Sequence, residues 1–103
     1  MDSNHSRLLK FGPRLFKAET IADVVQIPTE WNYHVCALAV QLERLMDTKG
    51  ITFEAVQIKS KFNRLRVYLS INDEDAEQLI TDMENKIDKD FFPANSGMLY
   101  RPD

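Results

Sequence analysis

Residues 53–69 restrict the possible folds more than any other stretch, because two runs of alternating apolar and polar residues flank a short turn-like segment, the pattern of a β-hairpin. In the second run Leu65, Val67, Leu69 and Ile71 fall on one face, while Arg64, Arg66, Tyr68 and Ser70 fall on the other, as a period of two requires. The apolar face has to be covered by other parts of the chain. In the first run Val56 and Ile58 alternate with Gln57, Lys59 and Lys61, but Phe53 and Ala55 have the opposite parity. A β-bulge near Ala55 and Val56 accounts for the change, since one extra residue shifts the alternation by one place.

A chain of 103 residues, 44% hydrophobic and 28% charged, suffices for one hydrophobic core and is too short for two. Residues 1–10 are polar and aperiodic, so a flexible N-terminus is expected there, followed by a single α+β domain over residues 11–103. Cys36 has no second cysteine to pair with, and His5 and His34 alone do not complete a structural zinc site. No metal and no cofactor are expected, and the setting is a reducing, cytoplasmic one. Neither a secretory leader nor a membrane span is expected, because no apolar run has the necessary length.

Two helices should flank the hairpin. Pro28-Thr29 supplies a start signal, with Thr29 as cap and Glu30 against the positive end of the helix dipole. The first helix then spans residues 30–47, with Trp31, His34, Val35, Leu38, Leu42, Leu45 and Met46 at three-four spacing and Gly50 as C-cap. After the hairpin, Asn72 is a cap candidate, Asp73, Glu74 and Asp75 crowd the first turn, and a second helix over residues 73–88 carries a narrow stripe of Ala76, Leu79, Ile80, Met83 and Ile87. Residues 15–27 show no clean period and are expected to form a loop with a short strand at 23–27. The turn-rich tail contains Phe91, Phe92, Met98, Leu99 and Tyr100, which should pack back onto the body. The expected order is helix, β-hairpin, helix, with both helices on one face of a small antiparallel sheet and the other face open to solvent.

These residues resemble a family of small uncharacterised phage and bacterial proteins. Its signature is a Pro-x-Leu-Phe lead-in, a Trp opening a helix, and then Gln-[Val/Ile]-Lys-x-Lys-Phe-Gly-x-Leu-Arg-x-Tyr. The matching positions are Pro13, Leu15, Phe16, Trp31, Leu38, Gln57, Ile58, Lys59, Lys61, Phe62, Leu65, Arg66 and Tyr68, followed by the second helix. Where the family pattern has glycine after the Phe, this chain has Asn63-Arg64; Asn tolerates a left-handed backbone and Arg64 does so poorly. A Cys-x-x-Cys segment that often follows the last helix is replaced here by Asp90-Phe91-Phe92-Pro93, which removes any metal role the resemblance would imply. It implies a mobile-element or bacterial setting and carries no activity.

The charge pattern supplies two candidate surfaces. Lys59, Lys61, Arg64 and Arg66, interleaved with Phe62 and Tyr68, could contact nucleic-acid phosphate and stack on bases, or could be a solvated sheet face whose lysines discourage edge pairing. Asp73, Glu74, Asp75, Glu77, Asp82, Glu84, Asp88 and Asp90 face only Lys86 and Lys89 in the last helix. The outward positions Glu74, Glu77, Asp82 and Glu84 could therefore bind a basic partner, or be an ordinary solvated face with acids placed for the dipole. No nucleophile and base lie at a diagnostic spacing, so His34 reads as a packed residue and Cys36 as a buried one, and no catalytic residues are expected. The leading expectation is a non-enzymatic protein-binding module, of the inhibitor or antidote kind, that occludes a basic surface of its target. The alternative is a nucleic-acid-binding accessory protein using the hairpin face.

Overall fold

The alternation of residues 55–69 produces the expected hairpin, and its register explains the parity change. In the computed structural model, which describes residues 3–92, strands β2 (Ala55–Lys61) and β3 (Arg64–Leu69) pair antiparallel from Lys61 opposite Arg64 to Ala55 opposite Leu69, with a register shift between Ala55 and Gln57. Val56 is the extra residue and turns outward, 57% exposed. The turn consists of Phe62 and Asn63, with φ of 55° and 62°, so both central positions are left-handed as a type I′ hairpin demands. The positive φ that Arg64 would tolerate poorly thus falls on Phe62 instead.

The helices follow the apolar spacing. Helix α3 (Asn32–Lys49) buries Val35, Leu38, Ala39, Leu42 and Met46, and α4 (Glu74–Phe91) buries Ala76, Ile80, Met83 and Ile87. Their buried faces share one core with Ile58 and Leu65 of the sheet, both 1% exposed, and α4 packs on β3. Gly50 ends α3 at φ 65°, where its amide donates to the Met46 carbonyl, a left-handed stop that favours glycine. Two start signals are corrected. Thr29 opens a 3-10 turn (Thr29–Trp31) without a side-chain cap, and the α4 cap is Asp73 rather than Asn72, its carboxylate accepting from the Ala76 amide at 3.0 Å.

Further corrections concern the first third of the chain. The stretch expected to be a flexible N-terminus forms helix α1 (Ser3–Phe11), which packs on α3 with Leu8 wholly buried. Only tertiary packing accounts for it, since a nine-residue polar helix is marginal in isolation. Residues 15–27 contain a single helical turn, α2 (Ile21–Val24), and a two-residue strand, β1 (Val25–Gln26). That strand runs parallel to β2, with Val25 opposite Ile58. The sheet is therefore three-stranded and mixed, in the order β1-β2-β3, rather than antiparallel throughout. Of the tail residues expected to fold back, Phe92 meets the Trp31 ring edge-on at 6.4 Å and Phe91 meets His34 at 5.2 Å; Met98, Leu99 and Tyr100 lie outside the described residues.

Two outcomes test this packing. Leu38→Ala and Leu42→Ala should each destabilise by about 2–5 kcal/mol in urea denaturation, because each truncates a side chain with no exposed surface to collapse into. Phe62→Asn should stabilise by about 1 kcal/mol in the same measurement, since the ring is 84% exposed and an ordinary L side chain in the left-handed region costs about 1–2 kcal/mol, which Asn relieves in part. Unchanged stability on Phe62→Asn would mean that the turn does not strain this residue.

Candidate functional site

Helix α4 divides its acids into those the fold uses and those it leaves outward. At the start, Asp73 caps the helix and receives Lys49 Nζ at 2.7 Å, and Asp75 receives the same ammonium at 2.7 Å. The hydrogen bond from Lys49, then that from the Ala76 amide, holds the Asp73 carboxyl below the usual carboxylate range. At the end, Asp90 accepts from His34 Nε2 at 2.8 Å and lies 3.4 Å from Lys86. The bond to His34 is the main reason its carboxyl titrates low. Glu74, Glu77 and Asp82 remain exposed. Asp82 takes a hydrogen bond from Gln78 at 2.8 Å, and none of the three forms an ion pair with a described residue.

Glu84, grouped with those three by sequence, does not belong with them. Its side chain is only 15% exposed and its Oε2 accepts from Arg64 Nε at 2.6 Å and from Arg66 Nη1 at 3.1 Å. The reason is the edge position of β3: arginines on the outer side of an edge strand are long enough to reach over it to the neighbouring helix. The Glu84 hydrogen bond raises the Arg64 guanidinium above its ordinary value. One contact thus removes an acid from the outward α4 set and two cations from the hairpin set.

What remains of the hairpin surface is smaller and more aromatic. Lys59 Nζ lies 5.8 Å from the centre of the Tyr68 ring and Lys61 Nζ 5.8 Å from that of Phe62, distances at which an ammonium is attracted to a ring face. Tyr68 is 48% exposed and Val56 flanks it on the bulge. Lys59, Lys61 and Tyr68 are therefore brought together as the alternation predicts, with Phe62 at the tip, whereas Arg64 and Arg66 are engaged internally.

The most constrained polar group lay outside the sequence reading. Glu43, on the buried side of α3, accepts from the Arg14 amide at 2.8 Å and the Leu15 amide at 2.9 Å through Oε2, and from Arg14 Nε at 2.7 Å through Oε1. Arg14 also donates to the Glu43 carbonyl at 3.0 Å and pairs with Asp47 at 2.9 Å. These bonds raise its pKa, the Glu43 contact first. Gly12 belongs to the same loop: a Cβ there would lie 3.0 Å from the Phe16 ring and 3.3 Å from Ala39 Cβ, so a side chain would press tightly on both neighbours. The signal in the sequence was a charge within a helix face otherwise apolar, at one end of the Pro13-Arg14-Leu15-Phe16 segment's reach. His34 and Cys36 are packed as expected; the His34 Nδ1 is buried without a hydrogen-bond partner among the described residues.

No family model, no curated protein and no solved structure matches the chain. Among the described residues no helix is long and apolar enough to cross a membrane, and no group of three or more His, Cys, Asp or Glu side chains could hold a metal ion.

Glu43→Ala should destabilise by about 2–5 kcal/mol in urea denaturation, because it strands the buried Leu15 amide and its neighbour without an acceptor. A loss below about 1 kcal/mol would mean that water replaces the carboxylate. The depressed carboxyls of Asp73 and Asp90 give the pH dependence its sign: their stabilisation is present above the unfolded carboxyl pKa of about 3.9 and is lost as pH falls through the lower folded value. Asp73→Asn combined with Asp90→Asn should accordingly flatten the loss of stability between about pH 5 and about pH 2. An acid limb as steep as that of the wild type would assign it to other groups.

Proposed function

We propose that the protein is a small non-enzymatic binding module of the inhibitor or antidote kind, acting in the cytoplasm, whose α4 surface docks on a basic surface of a target protein such as a nuclease. The observation that carries this reading is that Glu74, Glu77 and Asp82 stay outward and without a cation partner among the described residues, while the other face of the same helix is fixed in the core by Ala76, Ile80, Met83 and Ile87. Such acids cost self-repulsion in the free protein, and a basic partner would relieve it. The resemblance to small phage and bacterial proteins supports a mobile-element setting, in which occluding a nucleic-acid-binding surface is a plain use for this chemistry.

Capture of partners from the native host followed by binding kinetics tests it. The triple reversal Glu74→Lys, Glu77→Lys and Asp82→Lys should fold normally by circular dichroism and should slow association on the order of tenfold at low salt, with the difference shrinking at high salt, since exposed charges act mainly through steering. Wild-type association by a folded variant would remove α4 as the docking surface.

A second reading, nucleic-acid binding through the hairpin, is favoured by one specific observation. Phe62 is 84% exposed in a left-handed backbone position beside Lys61, an arrangement that folding alone does not reward. Titration of labelled single- and double-stranded DNA and RNA should then show binding that weakens steeply with salt and is lost on Phe62→Asn with Lys61→Gln. Absence of binding to all of them at low salt excludes it.

A further inference from the structure

Where α1 crosses α3, the two helices leave a groove of about 330 Å³, lined by Arg7 and Phe11 on one side and Tyr33, Cys36, Ala37 and Val40 on the other. It is independent of both charged surfaces and exists only because α1 packs on α3. We propose that this groove binds a small amphipathic monocarboxylate, with the carboxylate on the Arg7 guanidinium and the hydrocarbon or aryl body between Phe11, Tyr33 and Val40.

Three observations select this occupant. Arg7 is the one charged residue among those lining the groove and forms no ion pair with a described residue, so a single anion at that end meets an available fork of donors. The rest of the lining is mostly apolar, its polar groups being the Tyr33 hydroxyl at the exposed rim, the Asn32 carboxamide and the Cys36 thiol. Asn32, at the end of the groove, turns its Nδ2 toward Cys36 Sγ at 3.6 Å, and burial pushes the Cys36 thiol up, toward the neutral form, against a smaller opposing effect of Arg7. A polar or multiply charged body would therefore be desolvated without compensation. Finally, the volume lies at the lower end of the range for small-molecule sites, about 300–1,000 Å³, and is short for the several anchors that a partner helix lays into a groove. Phe11, 40% exposed, and Tyr33, 78% exposed, stand at the rim, where covering them adds apolar contact.

The test is a ¹H–¹⁵N correlation titration of the full chain with octanoate, octanol and acetate, repeated on Arg7→Gln and on Ala37→Trp, which fills the groove from α3. Octanoate should give saturable shifts confined to the amides around residues 7–11 and 32–40. Octanol and acetate should each bind at least about tenfold more weakly, Arg7→Gln should lose about tenfold for octanoate but little for octanol, and each methylene removed from octanoate should cost roughly fourfold. Circular dichroism confirms that both variants fold, and Ala37→Trp should abolish the shifts. The proposal is overturned by the absence of saturable shifts below the aggregation limit of octanoate, by equal affinity for octanol, by wild-type binding in Arg7→Gln, or by shifts that map elsewhere. It is equally overturned if an acidic amphipathic peptide perturbs these amides and octanoate does not, since the groove would then be a protein-docking surface.

Discussion

A loop can lie against a buried helix face only if its backbone amides find acceptors there, and Glu43 provides them. Its carboxylate takes two consecutive amides, those of Arg14 and Leu15, while the Leu15 carbonyl accepts from Ala55 at the start of β2 at 2.9 Å. The same peptide segment therefore ties the helical layer to the sheet, and the buried side chains of Leu15 and Phe16 fill the space between. A carboxylate so placed would be costly if left bare. Here it is compensated by two backbone donors and a guanidinium whose remaining nitrogens reach the Glu43 carbonyl and Asp47. Directional bonds of this kind also fix register: they define which residues of the loop face α3, and so where α1 and β1 come to lie on either side of it.

The separation of charge along the sequence has a different meaning once the chain is folded. The basic hairpin and the acidic last helix are remote in composition but adjacent in space, and Glu84 with Arg64 and Arg66 neutralises part of each against the other. Lys49 does the same for Asp73 and Asp75 at the helix start, and at its end Asp90 lies near Lys86 and accepts a hydrogen bond from His34. Both ends of α4 are thus tied electrostatically to α3, and the middle to β3. The outward acids that remain are those with no structural task in the fold.

How much of this was legible depended on whether the determining contacts were local. The hairpin, its bulge at Val56, the α3 and α4 stripes and the Gly50 stop were readable, because side-chain period and the demands of a left-handed residue are properties of neighbouring positions. Helix α1 was not, and of the short strand expected at 23–27 the parallel pairing was not, because each depends on a partner far along the chain: α1 on α3, and Val25 on Ile58. The same distinction divides the site. Lys59, Lys61 and Tyr68 face together because alternation requires it, whereas the diversion of Glu84, Arg64 and Arg66 depends on β3 being the edge strand beside α4. No spacing rule connects residues 64 and 84.

That diversion also couples the two charged surfaces, because the same contact occupies an acid of one and two cations of the other. A basic partner approaching α4 meets Glu74, Glu77 and Asp82 at once, but could recruit Glu84 only by displacing Arg64 Nε from a 2.6 Å contact and Arg66 from one of 3.1 Å. An anionic partner approaching the hairpin meets Lys59, Lys61 and the two rings at once, but could recruit either arginine only by leaving Glu84, already 85% shielded from water, without its cations. In each case the additional charge comes with the loss of a charge-assisted hydrogen bond and the stranding of its former partner, the costliest way to break such a contact. A partner on either face would therefore meet only the residues that the described contacts leave unused: Glu74, Glu77 and Asp82 on α4, or two lysines with Tyr68 and Phe62 on the hairpin.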